Sequence, residues 1–172
     1  MGEFIVKSKR LILSAIFLSL GIVLPFLTGQ IKEIGDTLLP MHIPVMLCGL
    51  ICGWKYGLAV GFLTPVLRGV IVGMPPLYPN ALWMAFELAT YGFTIGFLYN
   101  RFHKIYISLI ISMLSGRIVW GVVKAILLGV ADKPFTIEAF IAGGITDAIP
   151  GIILQLVLIP IICFSLERKW HK

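Results

Sequence analysis

The sequence predicts an all-α fold: an integral membrane bundle of six transmembrane helices with both termini on the cytoplasmic side. Three observations predict it. Of 172 residues, 59% are hydrophobic and 13% charged, where a soluble domain carries about 25% charged residues. The apolar residues gather into six runs, most of them close to the roughly 20 residues that a spanning helix needs. The basic residues collect at alternate ends of those runs. A chain of this length and apolarity reads as a single membrane domain over residues 1–172.

The first segment covers about 11–28 and follows Lys7, Lys9 and Arg10. That start is similar to a signal peptide, but no Ala-x-Ala cleavage site precedes Gly29, so it reads as a retained helix. The second, about 41–53, begins with Pro40-Met41-His42-Ile43-Pro44. It is too short to span alone, and its outer end is expected to be irregular or tucked into protein. The third, fourth, fifth and sixth segments cover about 56–72, 80–99, 105–130 and 137–166. Trp54, Trp170, Tyr78 and Tyr99 fall near segment ends, as interface anchors do.

Orientation follows from the cations. With the amino terminus inside, the cytoplasmic side receives Lys7, Lys9, Arg10, Lys55, Arg101, Lys104, Arg168, Lys169 and Lys172, and the outer loops receive Lys32 and Lys133. That asymmetry is the positive-inside rule, and it predicts a multi-pass protein of the cell membrane. The outer loops carry the irregular sequence: 29–40 holds Gln30, Lys32, Glu33 and Asp36, and 73–80 is rich in proline. An elaborated outer face and short inner turns point to a ligand met from outside.

Five ionisable residues lie inside these segments: Arg68, Glu87, Arg117, Lys124 and Asp147. A charge in hydrocarbon costs at least ~2.5–3.5 kcal/mol even on the lenient insertion scale. Such groups persist where they face a polar cavity or one another. On the fifth segment Met113, Arg117, Trp120 and Lys124 share one helical face. On the fourth, Asn80, Met84, Glu87, Tyr91 and Thr94 share a face, with Trp83 beside it. On the sixth, Asp147, Gly151 and Gln155 align, and Gly143 and Gly144 would leave room for a ligand. Counting 1.5 Å per residue from segment ends puts Glu87, Lys124 and Asp147 at similar depth in the outer half. Arg117 is deeper and fits an ion pair, and Arg68 is near enough to the outer end to snorkel. The competing reading is that these charges only pair with one another to hold the bundle.

Glycines 49, 53, 57 and 61 recur every four residues, a spacing that permits close helix packing. Ser14, Ala15 and Ser19 form a small-residue patch on the first segment that suits a docking partner. His42 reads as a loop-structural or ligand-contact residue. Cys48, Cys52 and Cys163 read as buried thiols, and no metal-ligand cluster accompanies them. Basic residues form no stripe with interleaved aromatics, which argues against nucleic acid. The P-loop, His-Glu-x-x-His and Gly-x-Ser-x-Gly motifs are missing, so the chain reads as a non-enzyme that binds no cofactor itself.

Six helices in this length, the small patch on the first and the structured first outer loop resemble the S components of energy-coupling factor vitamin transporters. The stretch Leu39-Pro40-Met41-His42-Ile43-Pro44-Val45, followed by Cys48-Gly49, is similar to a recurrent segment of one branch. So are Gly73-Met74-Pro75-Pro76 and Ala85-Phe86-Glu87-Leu88-Ala89-Thr90-Tyr91-Gly92. Within the family the chain looks most like the pantothenate group, with the hydroxymethylpyrimidine and pyridoxine groups next. The resemblance implies a subunit that captures a water-soluble B vitamin outside. It then docks on a membrane coupling subunit, driven by two cytoplasmic subunits that hydrolyse ATP. The family's docking motif is alanine-x-x-x-alanine, in which Ser19 replaces the second alanine after Ala15. The resemblance also implies a site built from the first outer loop and the outer halves of helices four to six. The residues it favours are Glu87, Tyr91, Trp120, Lys124 and Asp147. With Asn80, Trp83, Arg117 and His42 they make up the expected substrate site. The competing functions are a stand-alone ion-coupled carrier with Glu87 and Asp147 titrating, a membrane enzyme, and a structural subunit.

Overall fold

The computed structural model describes residues 2–28, 38–130, 136–146 and 148–170. Among these residues it is helical, with no strand. α1 (Gly2–Val23) runs into a 3-10 turn, Leu24–Thr28. α2 (His42–Cys52) and α3 (Trp54–Val72) are separated by Gly53 alone. A wide turn, Leu77–Ala81, leads into α4 (Leu82–Phe102), and α5 spans Ile105–Val130. A short helix, Ile137–Ile141, and a wide turn, Ala142–Thr146, precede α6 (Ile149–Trp170). The expected unbroken sixth segment is therefore interrupted. Tandem glycines weaken a helix there, and Pro150 sits in the first turn of α6, where proline is tolerated.

Among the described residues, five helical stretches are long and apolar enough to cross a membrane: Lys7–Leu27, Trp54–Val72, Leu77–Phe102, Ile105–Val130 and Ala142–Ser165. α2, with 11 residues, is a sixth, shorter apolar helix. The surface is inverted relative to a soluble protein. Leu11, Val70, Ile71, Leu114, Ile118 and Ile126 are exposed, while His42, Arg68, Glu87 and Gln155 are buried. Contiguous apolar faces of this extent match lipid rather than water. The chain is a multi-pass membrane protein.

α2 occupies the middle of the bundle. Every residue from Met41 to Leu50 is buried, and α1, α3, α4 and α6 all pack on it. It stops where it does because Gly53 turns the chain with φ +99°, a conformation L side chains rarely adopt. The Gly53 N–H caps the Gly49 carbonyl at 3.1 Å. Being short, α2 sits inside protein and holds its first residue, His42, at the level of the α4 midsection.

Glycines set how close the helices come. A Cβ on Gly49 would stand 2.5 Å from the Gly92 carbonyl oxygen, and one on Gly96 would stand 2.6 Å from the Gly49 oxygen. Gly57 and Gly61 press on the α4 backbone at Gly92 and Leu88 in the same way. The four-residue glycine spacing is thus a helix-packing device joining α2, α3 and α4.

Arg68 does not snorkel. It is buried, its Nε donates to the Ile22 carbonyl at 3.2 Å, and its Nη1 donates to the Met74 carbonyl. Its guanidinium lies 5.4 Å from the Phe26 ring. The reason is local. In the 3-10 turn that ends α1, the N–H due to reach Ile22 belongs to residue 25, which is proline and has none. Arg68 supplies the missing donor and ties the ends of α1 and α3 to the loop after α3.

Candidate functional site

Glu87 and Tyr91 are one turn apart on α4 and point the same way. Glu87 is 2% exposed. Its Oε1 accepts from Arg117 Nη1 of α5 at 2.9 Å and from the Tyr91 hydroxyl at 3.3 Å. His42 Nε2, at the start of α2, lies 3.5 Å from the same oxygen. The His42 and Tyr91 rings meet edge-on with centroids 5.0 Å apart. Gly116 makes this possible: a Cβ there would come within 2.7 Å of the Tyr91 ring. Tyr91 can lie against the α5 backbone only because residue 116 has no side chain. Three helices thus converge on one carboxylate.

The cluster is incompletely satisfied. Arg117 donates one N–H to Glu87, yet its Nε and Nη2 are buried and have no hydrogen-bond partner among the described residues. The same holds for His42 Nδ1 and Gln155 Nε2. In the tautomer that gives Nε2–H to Glu87, His42 Nδ1 is an acceptor. Buried polar atoms in native proteins nearly always have partners, from protein, water or ligand. Among the described residues, four such atoms lie on α2, α5 and α6.

Above this cluster, toward the α4 N-terminus, stands an aromatic and cationic wall. Lys124 Nζ lies 4.4 Å from the Trp120 ring and 5.2 Å from the Trp83 ring. The Arg117 guanidinium lies 6.0 Å from Trp120. Cations over indole faces gain from the ring quadrupole, most when desolvated. Trp120 also packs on Phe140, with centroids 5.9 Å apart.

The structure brings together His42, Trp83, Glu87, Tyr91, Arg117, Trp120 and Lys124. Asn80 sits half-buried in the turn before α4. Asp147 lies outside the described residues, as do Gln30, Lys32, Glu33, Asp36 and Lys133. Three expectations need correction. Glu87 stands level with Arg117, its ion-pair partner, and not with Lys124, which lies beside Trp83 about two turns nearer that end. Depth counted from helix ends failed because α5, at 26 residues, overhangs α4. The space beside Gly143 and Gly144 holds the Trp120 indole, to which their built Cβ atoms would come within 3.3 and 3.2 Å. Ser14 faces inward: its hydroxyl donates to the Arg10 carbonyl at 2.6 Å, and the Cys48 thiol donates to it at 3.7 Å. Ala15 and Ser19 remain exposed, on a shallow apolar face shared with Ile12, Ile16, Leu20 and Val23. Gly116 escaped sequence reasoning, since nothing in its spacing distinguishes it from a lipid-facing glycine.

Among the described residues no group of three or more His, Cys, Asp or Glu side chains could hold a metal ion. What the cluster can do is bind: it offers a fixed carboxylate, a cation with one open edge formed by Nε and Nη2, and indole faces, all within low dielectric. The sequence model of the family described as "ECF transporter, substrate-specific component" matches residues 9–165. No curated protein and no solved structure matches the chain. By the extent of the family match the chain belongs to the ECF transporter substrate-specific components, which are transport subunits that work with a coupling and ATPase module.

Proposed function

We propose that this ECF substrate-specific component captures a small, water-soluble B vitamin from outside the cell, with pantothenate as its first-ranked cargo. With both termini inside, the Trp83–Lys124 wall would face the exterior and Glu87–Arg117 would lie beneath it. The observation that carries the reading is the unspent edge of Arg117. A guanidinium presents planar, paired N–H groups that match a carboxylate, and pantothenate has one. Glu87, Asn80 and Asp147 would serve its hydroxyl and amide groups. Lys124 would draw the anion inward, and Trp83 and Trp120 would cover its apolar part.

Equilibrium titration of purified protein with pantothenate, pyridoxine and hydroxymethylpyrimidine tests the ranking. Tightest binding of pantothenate is expected. Tight pyridoxine or hydroxymethylpyrimidine binding beside none of pantothenate would reverse it, giving the indoles a ring to stack on and Glu87 a ring nitrogen or amine to read. Lys124→Ala should weaken pantothenate at least about tenfold, which is roughly 1.4 kcal/mol. Unchanged affinity would take Lys124 out of the site.

Release to the cytoplasm would follow docking on a coupling subunit driven by two ATPases. The exposed face around Ala15 and Ser19 suits that contact, because small residues let a partner helix approach closely. Ala15→Trp is therefore expected to abolish ATP-dependent uptake in a reconstituted complex while vitamin affinity stays within about twofold. Uptake at the wild-type rate would move the docking surface elsewhere. Uptake by this subunit alone under a proton gradient would favour an ion-coupled carrier instead.

A further inference from the structure

We propose that Gln155 of α6 is a specificity-determining residue of the vitamin site, donating its amide N–H groups to an acceptor on the cargo. The inference rests on the vitamin-capture reading above and extends it to a helix that supplies no described contact to Glu87. Gln155 is 1% exposed, and its Nε2 has no partner among the described residues. α6 packs on α2 and α5, the helices that present the other orphaned atoms, on His42 and Arg117. Gln155 is six residues from the α6 N-terminus at Ile149, hence about 9 Å along the helix. Below it, Ile159 and Cys163 on the same side of α6 join the apolar core. Gln155 is thus the last inward polar group before that core closes.

With the Gln155 amide as placed and the His42 tautomer above, the unspent hydrogen-bonding capacity is mostly that of donors. Arg117 Nε and Nη2 and Gln155 Nε2 are donors, whereas His42 Nδ1 is the one orphaned acceptor in the tautomer above. A cargo that satisfies this interior carries more acceptors than donors, with an anionic group for Arg117 and a carbonyl or hydroxyl oxygen for Gln155. A molecule that is rich in donors leaves the same atoms unpaired and is rejected, which is how a buried polar site discriminates. Gln155 therefore favours a hydroxy-amide acid over an amino-substituted ring.

The test uses Gln155→Leu and the closer isostere Gln155→Met, each purified whole and titrated with pantothenate, pyridoxine and hydroxymethylpyrimidine. Thermal midpoints are measured without ligand. The expected result is a loss of pantothenate affinity of about tenfold or more, with a ligand-free midpoint equal to or above that of the unaltered protein. The midpoint holds because an apolar replacement removes an orphaned amide and leaves no new one. Pantothenate affinity within twofold of the unaltered protein overturns the role of Gln155 and leaves the vitamin-capture reading standing. A ligand-free midpoint lowered by several degrees in both variants assigns Gln155 to packing and also overturns it. Failure of the unaltered protein to bind any of the three vitamins overturns both readings together.

Discussion

Glu87→Ala is expected to be the most damaging substitution at the site, costing about 3–5 kcal/mol of stability. The carboxylate takes hydrogen bonds from Arg117 and Tyr91 and neutralises a cation whose side chain is 12% exposed. Without it the guanidinium is left charged and unpaired in a low-dielectric interior. The loss should appear as a lower thermal midpoint in detergent. Removing both charges tells a different story. Glu87→Leu with Arg117→Met takes away the desolvation burden of the whole pair, and such swaps are often neutral or stabilising. The double variant is expected to be far more stable than Glu87→Ala, a non-additivity that contacting residues produce. Equal losses in the two variants would mean that the stranded Arg117 charge is not what destabilises Glu87→Ala.

Gly92→Ala is expected to rank beside it. A Cβ at residue 92 would drive into the Gly57 backbone, closest to its carbonyl. Backbone cannot swing aside as a side chain can, so the cost should reach or exceed the upper end of the ~1–3 kcal/mol usual for overpacking. The same chemical change at Gly129 supplies the control. Among the described residues nothing lies within 4 Å of a Cβ built there, and alanine is the better helix former, by up to about 1 kcal/mol in a helix interior. Thermal midpoints should therefore move in opposite directions for the two Gly→Ala variants. A fall of equal size in both would show that helix crossing is not what Gly92 serves.

Different parts of this molecule were legible in the sequence for different physical reasons. Helix positions were readable because hydrocarbon demands long apolar runs, and the chain supplies them. The glycine spacing was readable because close crossing needs small residues at one period. Glu87, Tyr91 and Arg117 stood out because ionisable and aromatic groups on one helical face need a reason to be there, and His42 stood out as a lone histidine between Pro40 and Pro44. Their pairing did not, because depth along a single helix says nothing of how far its neighbour overhangs. Lys124 was set level with Glu87 for that reason. Arg68 was assigned to the interface for another: the carbonyl it serves is orphaned by Pro25, 43 residues away in the chain, and only the packing of α1 on α3 brings them together. The break in the sixth segment was written in Gly143-Gly144 and Pro150, but an apolar run conceals such a break because hydropathy ignores backbone preference. Ser14 was read from a spacing it shares with Ala15 and Ser19, and spacing alone cannot tell which side of α1 meets α2.

The most direct test of a cargo site at Glu87 and Arg117 is pantothenate affinity of the Glu87→Leu/Arg117→Met double variant, measured beside the unaltered protein under conditions where both are folded. If the two charges are there to grip cargo, the double variant keeps its thermal midpoint and binds pantothenate at least about a hundredfold more weakly, roughly 2.7 kcal/mol. A folded double variant that binds as tightly as the unaltered protein would contradict this and leave the pair as a clasp between α4 and α5.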